Sequence, residues 1–171
     1  MPGQAEPAGE LWRFSLAVHD APGVASLCLE LQDRWGADVN LALAVAWAGA
    51  SGRGRLPVAW IARLDREIAP LRGDLVAPLR GARRWLKPLA DSGRLAALGA
   101  LRARLKDLEL EAECYVQAIL EAALAGLEIR EPPPARPDSA RANVAAYLRH
   151  LGAPADGAGL GAAVEAWIRS R

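Results

Sequence analysis

The chain has 171 residues and a formal net charge of +1, and 52% of its residues are hydrophobic. This length and composition fit one globular domain with a real core, and they exclude an intrinsically disordered chain. No uncharged stretch reaches the roughly 20 apolar residues that a helix needs to cross a bilayer. The first residues lack the basic start and apolar segment of a secretory signal, so we expect a cytoplasmic protein.

The small net charge conceals a strong segregation of charge along the chain. Residues 1–52 carry six Asp or Glu against two Arg, residues 53–106 carry thirteen Arg or Lys against four Asp or Glu, and residues 107–131 carry seven Asp or Glu against one Arg. A basic block between acidic flanks predicts either a surface for an anionic partner or ion pairs inside the protein.

Cysteine and histidine are scarce. Cys28 and Cys114 lie far apart in apolar segments, which predicts two buried free thiols rather than a disulfide. His19 and His150 are the only histidines, and there is no Cys-x-x-Cys or His-x-x-x-His spacing. We therefore expect no metal and no cofactor, and because no nucleophile has a suitable partner we favour a non-enzymatic protein.

Apolar residues recur at helical spacing through the first fifty residues and predict three helices. The first spans Glu10–His19. Pro22 suits the first turn of the second helix, and Gly36 suits its end. Asp38 is placed to cap a third helix, 39–48, which is apolar all round and is therefore expected at the centre of the fold.

The middle of the chain predicts three more helices. Pro57 opens the fourth, and Pro78 and Pro88 bracket a short fifth one. From residue 95 to residue 126, apolar residues follow the 3.6-residue period for about seven turns, which predicts the longest helix. β-branched residues are sparse and do not alternate with polar ones, so we predict no strand.

The proline-rich segment 131–138 predicts a stiff linker, after which Asp138 or Ser139 could cap a helix. We predict an all-α fold, a compact helical bundle of six or seven helices. Residues 1–130 would form its core domain, and residues 139–171 a C-terminal helical pair packed on that core.

Four cations fall at positions i, i+3, i+4 and i+7 of the predicted fifth helix and therefore share one face. Such a face could dock an acidic protein or bind phosphate groups. Alternatively, the cations pair with Glu109 and Glu113 of the long helix. No aromatic residues interleave with them, which argues against a nucleic-acid surface. We refer to these residues as the basic face: Arg80, Arg83, Arg84 and Lys87.

A second candidate site is a set of polar residues within the apolar first third of the chain. Structural roles are the alternative: Asp38 as an N-cap, Asn40 in a hydrogen bond at the helix start, and Asp33 in solvent. Gln32 would then bond a backbone group, and Gln32, Asp38 and Asn40 could also accept from tryptophan N–H groups. The predicted polar pocket comprises Arg13, Gln32, Asp33, Asp38 and Asn40.

Several short motifs occur at fixed spacing in the opening segment: LWRFS at 11–15, PGV at 22–24, CLELQD at 28–33 and DVNL at 38–41. Together they resemble the N-terminal signature of an uncharacterised proteobacterial family of small proteins, a domain of unknown function. A thinner match follows at Pro78-Leu79-Arg80, with Arg83 and Lys87. The resemblance implies a helical fold and a bacterial cytosolic protein, and it brings no known activity.

Two function hypotheses follow. In the first, the chain is an interaction or adaptor protein that docks an acidic partner through the basic face. In the second, it is a small-ligand or metal-binding protein, or an enzyme, that uses the polar pocket. Ion pairs from Arg80 or Arg84 to Glu109 or Glu113 would remove the basis of the first hypothesis. The sequence leaves the oligomeric state open.

Overall fold

The structure, a computed structural model, describes residues 9–91, 96–128, 132–153 and 158–169. These residues form no β-strand, which confirms the all-α prediction. None of the described helices is long and apolar enough to cross a membrane. The α-helices are α1 (Glu10–His19), α2 (Val24–Trp35), α3 (Val39–Ala50), α4 (Val58–Leu71), α5 (Ala77–Asp91), α6 (Ala96–Ala125), α7 (Arg136–His150) and α8 (Ala158–Arg169).

Helix α3 lies at the centre of the bundle, as its composition predicts. Every residue from Asn40 to Ala50 is buried, and α1, α2, α4, α6, α7 and α8 all pack against it. The carboxylate of Asp38 accepts a hydrogen bond from the backbone N–H of Leu41 at 3.1 Å. The predicted N-cap is therefore confirmed, and so is the helix stop at Gly36, which adopts a left-handed conformation with φ 64°.

Helix α7 approaches α3 so closely that only glycine fits at one position. A Cβ atom on Gly49 would lie 2.3 Å from the backbone nitrogen of Ala140. Because real Cβ atoms do not come so near to backbone, the absent side chain sets the distance between the two helices.

The side chain of Asn143 on α7 joins α3 to the loop that follows it. Its Oδ1 accepts from the backbone N–H of Leu56 at 2.8 Å. Its Nδ2 donates to the carbonyl oxygens of Val45 at 3.1 Å and Gly54 at 3.0 Å. The side-chain amide of Asn143 thus forms hydrogen bonds with three backbone groups. Two of these groups lie in the loop, where no helix supplies hydrogen-bond partners.

Two predictions about helix ends were wrong. Pro22 precedes α2, which begins at Val24 after the left-handed Gly23. Pro88 lies inside α5 rather than ending it, because a proline removes one hydrogen bond and a helix held by its neighbours can continue past it. A π-helical turn, Arg72–Val76, connects α4 directly to α5.

The start of α7 also differs from the prediction. The helix begins at Arg136, within the segment predicted as a linker, and a 3-10 turn precedes it. Asp138 and Ser139 therefore lie inside the helix and do not cap it. Pro137 occupies the first turn, where its missing N–H costs nothing. Glu131, at the other end of the predicted linker, lies outside the described residues.

Candidate functional site

A cavity of about 230 Å³, here named the central cavity, lies between α1, α2, α3, α5 and α6. Part of its wall is apolar and includes Cys28 and Leu43. Leu16, Leu29 and Leu110 also line it, yet they are 45%, 51% and 45% exposed. They therefore form an apolar rim where the cavity meets solvent. Since a cavity of about 150 Å³ accommodates benzene, the central cavity has room for a small organic molecule.

The interior of the central cavity contains three buried polar side chains from three helices. Ser15 on α1 is 3% exposed, Asn40 on α3 is 7% exposed and Gln117 on α6 is 3% exposed. Gln117 Nε2 donates to Asn40 Oδ1 at 2.9 Å. Ser15 Oγ and Gln117 Oε1 have no hydrogen-bond partner among the described residues. Buried polar atoms are nearly always bonded, so these two exceptions require an explanation.

An ion-pair network forms the charged wall of the central cavity. Arg80 donates to Glu109 Oε1 at 2.8 Å and to Glu113 Oε1 at 2.5 Å. Arg83 Nε donates to Glu109 Oε2 at 2.5 Å. Burial alone would raise the pKa of Glu109, but the hydrogen bonds from Arg83 and Arg80 hold it below its ordinary range. Burial raises the pKa of Glu113, for which Arg80 compensates only in part.

The four residues of the basic face therefore have different surroundings in the structure. Arg80 and Arg83 point into the bundle and pair with glutamates of α6, which is the alternative that the sequence left open. Arg84 remains exposed, and its Nη2 lies 3.9 Å from Asp33 Oδ1. Lys87 is exposed as well. A surface of four free cations does not exist.

Four of the five residues of the predicted polar pocket line one cavity of about 210 Å³, which adjoins the central cavity: Gln32, Asp33, Asp38 and Asn40. Gln32 and Asn40 also line the central cavity. Arg13 lines neither; it borders a separate cavity that includes Trp47. Consecutive helix positions are rotated by about 100°, so neighbours in the sequence of α1 face different cavities.

A family model described as "Protein of unknown function (DUF2390)" matches residues 10–120. The chain belongs to the DUF2390 family. This confirms the resemblance to an uncharacterised family that the opening motifs indicated. No curated protein and no solved structure gives a significant match. All residues that line the central cavity fall inside the DUF2390 segment, whereas α7 and α8 lie beyond it.

Within the DUF2390 segment, Asn40 and Asp38 have partners other than the predicted tryptophan N–H groups. Asn40 Oδ1 accepts from Gln117 Nε2, and the backbone N–H of Asn40 donates to Asp38 at the start of the helix. Asp38 accepts from Leu41 and lies 4.0 Å from Arg72, again without an indole donor. Burial raises the pKa of Asp38, while Leu41 and Arg72 act against that rise.

Sequence reasoning missed Ser15 and Gln117, which carry the most unusual feature of this DUF2390 site. A signal existed, because each is a lone polar residue among apolar neighbours at a core position. Cys28 and Cys114 are both buried and are not joined in a disulfide, as predicted. Burial raises the pKa of Cys28 to about 11. This favours the protonated thiol, which is a poor nucleophile, so Cys28 serves as part of the cavity wall. In the described parts of the chain, no group of His, Cys, Asp or Glu is arranged to hold a metal ion.

Proposed function

We propose that the protein binds a small molecule in the central cavity, and that this molecule has an apolar body and an uncharged polar group such as a hydroxyl. The observation that carries the proposal is the pair of buried, unbonded atoms Ser15 Oγ and Gln117 Oε1. Gln117 Oε1 could accept a hydrogen bond from a ligand hydroxyl, and Ser15 Oγ could donate to or accept from one, once side-chain motion exposes these two atoms, which have almost no solvent-accessible surface. Leu43 and the leucine rim would contact the apolar body.

The size of the cavity favours a ligand over a single buried water. A water molecule accounts for roughly 30 Å³ of liquid volume, whereas the cavity measures about 230 Å³. A single water would leave most of the apolar wall without contacts. A molecule of monocyclic size would fill that wall and supply the missing hydrogen bonds.

The ion pairs favour an uncharged polar group. Arg80 and Arg83 already donate to Glu109 and Glu113. An anionic ligand that bonded Arg80 or Arg83 would have to displace a buried carboxylate, and a cationic ligand that bonded Glu109 or Glu113 would have to displace an arginine. Either exchange would unpair a largely desolvated charge, which costs several kcal/mol (about 3–5). Arg84 also lines the cavity, but it lies at the exposed edge beside Asp33, where solvent weakens an ion pair. Because Arg80 and Arg83 are paired inside the bundle, only two cations of the basic face remain for an acidic protein partner, and the adaptor hypothesis loses its basis.

Two further predictions remain proposals. Cys28 is a buried thiol outside any disulfide, which supports a reducing compartment such as the cytoplasm. The division into a core of residues 1–130 and a C-terminal pair of residues 139–171 is consistent with the extent of the family match.

The experiment is a thermal-shift and calorimetric titration of the full chain with phenol, cyclohexanol and benzoate. We expect the two neutral alcohols to raise Tm and to saturate, and benzoate to give no shift. Ala25 lines the cavity and is exposed, so Ala25→Trp should block the opening and abolish the shift. Ala17 is an exposed alanine of α1 outside the cavity lining, and Ala17→Trp is the matched control.

Two results would overturn the proposal. One is the absence of any saturable shift with either alcohol. The other is an equal shift in the Ala25→Trp and Ala17→Trp proteins, because binding would then occur elsewhere. A stronger response to benzoate than to phenol would contradict the uncharged polar group.

A further inference from the structure

One face of α6 exposes three large apolar side chains in a row. Leu101 is 43% exposed, Leu108 is 50% exposed and Tyr115 is 48% exposed. They lie seven residues apart, which is close to two helical turns, so they align along the helix. Gln117 lies about two and a half turns from Leu108, which places the central cavity on the opposite side of the helix.

The protein's own core does not account for this row. The neighbouring apolar positions of α6 do face inward: Ala112 is 4% exposed and Leu120 is fully buried. Single exposed leucines are ordinary on protein surfaces, but an aligned row marks an interaction surface more often. Seven-residue spacing is the pattern by which two helices pack along a shared seam.

The charges beside the row indicate which helix would fit. Arg104 follows Leu101 by three residues, and Glu111 follows Leu108 by three residues, so both charges flank the row on the same side. Both side chains are exposed. The helix is therefore basic beside one end of the row and acidic toward the other.

We propose that the protein forms a symmetric homodimer in which two copies of α6 pack antiparallel along the row of Leu101, Leu108 and Tyr115. With Leu108 opposite its own copy, Leu101 meets Tyr115 of the second chain. Arg104 then lies opposite Glu111 of the second chain, and the two-fold axis repeats this pair. A parallel arrangement would instead place the two copies of each charge on opposite sides of the seam, so Arg104 and Glu111 would not pair with each other.

The first test is the mass of the full chain by sedimentation or light scattering over a concentration series. We expect a monomer–dimer equilibrium, and Leu108→Lys should shift it entirely to monomer. Leu110 has nearly the same exposure, at 45%, but lies on the cavity side of α6, so Leu110→Lys should remain dimeric. A monomeric wild type throughout the series, or a Leu108→Lys protein that still dimerises, would overturn the proposal.

The second test is a charge swap that reports the direction of packing. Arg104→Glu and Glu111→Arg should each lower the association constant about tenfold, because two attractive pairs become repulsive. The double variant restores both pairs in reverse and should regain wild-type association. A double variant no better than the single ones would contradict the antiparallel arrangement. Folding of all variants is checked by circular dichroism, since the substituted positions are exposed.

Discussion

Helix α3 makes buried polar contacts on two sides, and the two sides differ in how completely these contacts are satisfied. Toward α7, the amide of Asn143 forms three hydrogen bonds to backbone groups, and Tyr147 Oη accepts from the backbone N–H of Asp38 at 2.8 Å. Toward α1 and α6, Asn40 accepts a single bond from Gln117, while Ser15 Oγ and Gln117 Oε1 stay unbonded.

The proposed function accounts for this difference. Polar groups that a fold needs for its own stability are saturated, because each unsatisfied one costs about 1–3 kcal/mol. Polar groups that stay buried and unbonded do not stabilise the fold, and each needs its own explanation. Arg102 Nε and Arg136 Nε are also unbonded among the described residues, but neither lines the central cavity. The saturated contacts toward α7 therefore stabilise the bundle, and the unbonded atoms toward the central cavity are those that the proposed ligand would complete.

The largest expected change in the free energy of unfolding comes from replacing Asn143, and Asn40 is the buried asparagine with which it is compared. Asn143→Ala leaves Leu56 N–H and Gly54 C=O without that partner in the interior, and we expect unfolding to become easier by about 3 kcal/mol or more. Asn40→Ala removes one hydrogen bond, the one from Gln117 Nε2, and leaves one donor without that partner, at a cost of about 1 kcal/mol. Urea denaturation followed by circular dichroism measures both. Equal losses would show that the cavity side is as structural as the α7 side.

The sequence predicted the features of α3 and of the turn before it that depend on residues close together in the chain. Asp38 as N-cap, Gly36 as helix stop and the burial of 39–48 follow from a few consecutive residues, because caps and apolar helices are short-range features. The presence of Ser15 and Gln117 in the wall of one cavity depends on how α1 and α6 rotate about their own axes. No pattern along the chain fixes that rotation.

The basic face illustrates the same limit. Helical spacing correctly grouped Arg80, Arg83, Arg84 and Lys87, but it could not show whether that group points to solvent or to α6. The packing of α5 on α6 decided the matter by rotating Arg80 and Arg83 toward Glu109. Pro88 was misjudged for a related reason, since tertiary packing overrides a local helix-breaking tendency.

An intermediate effect is expected at the charged wall of the cavity. Glu109 is 6% exposed and accepts from both Arg80 and Arg83. Glu109→Gln leaves the two guanidinium groups with one carboxylate, so we expect a loss of about 2 kcal/mol in the free energy of unfolding. Asp107→Asn is the control, because Asp107 is an exposed residue of the same helix and surface charges contribute about 0–1 kcal/mol.

The pH dependence of that loss has a defined sign. The pKa of Glu109 lies below its ordinary value of 4.5 in the folded protein. Its stabilising contribution is therefore complete above pH 4.5 and disappears as the pH falls through the lower, folded pKa. The stability gap between wild type and Glu109→Gln should narrow below pH 4.5. The raised pKa of Glu113 gives the free energy of unfolding the opposite pH dependence, and Glu113 is present in both proteins. A gap that widens in acid would contradict the role assigned to Glu109.

The smallest expected change in stability is that of Ser15→Ala. It is the most diagnostic one, because the substitution should stabilise the protein rather than destabilise it. Ser15→Ala removes a buried hydroxyl that has no partner among the described residues, so the folded protein should gain about 1 kcal/mol of stability and roughly 2–4 °C in Tm. Ser51→Ala is the contrasting control: its hydroxyl donates to Trp47 O at 2.7 Å and accepts from Arg53 at 2.6 Å, so stability should fall. The Ser15→Ala protein should at the same time bind phenol more weakly than wild type. A hydroxyl that costs the fold stability and contributes to ligand affinity belongs to a binding site, whereas a loss of stability in Ser15→Ala would place Ser15 with Asn143 among the groups that hold the bundle together.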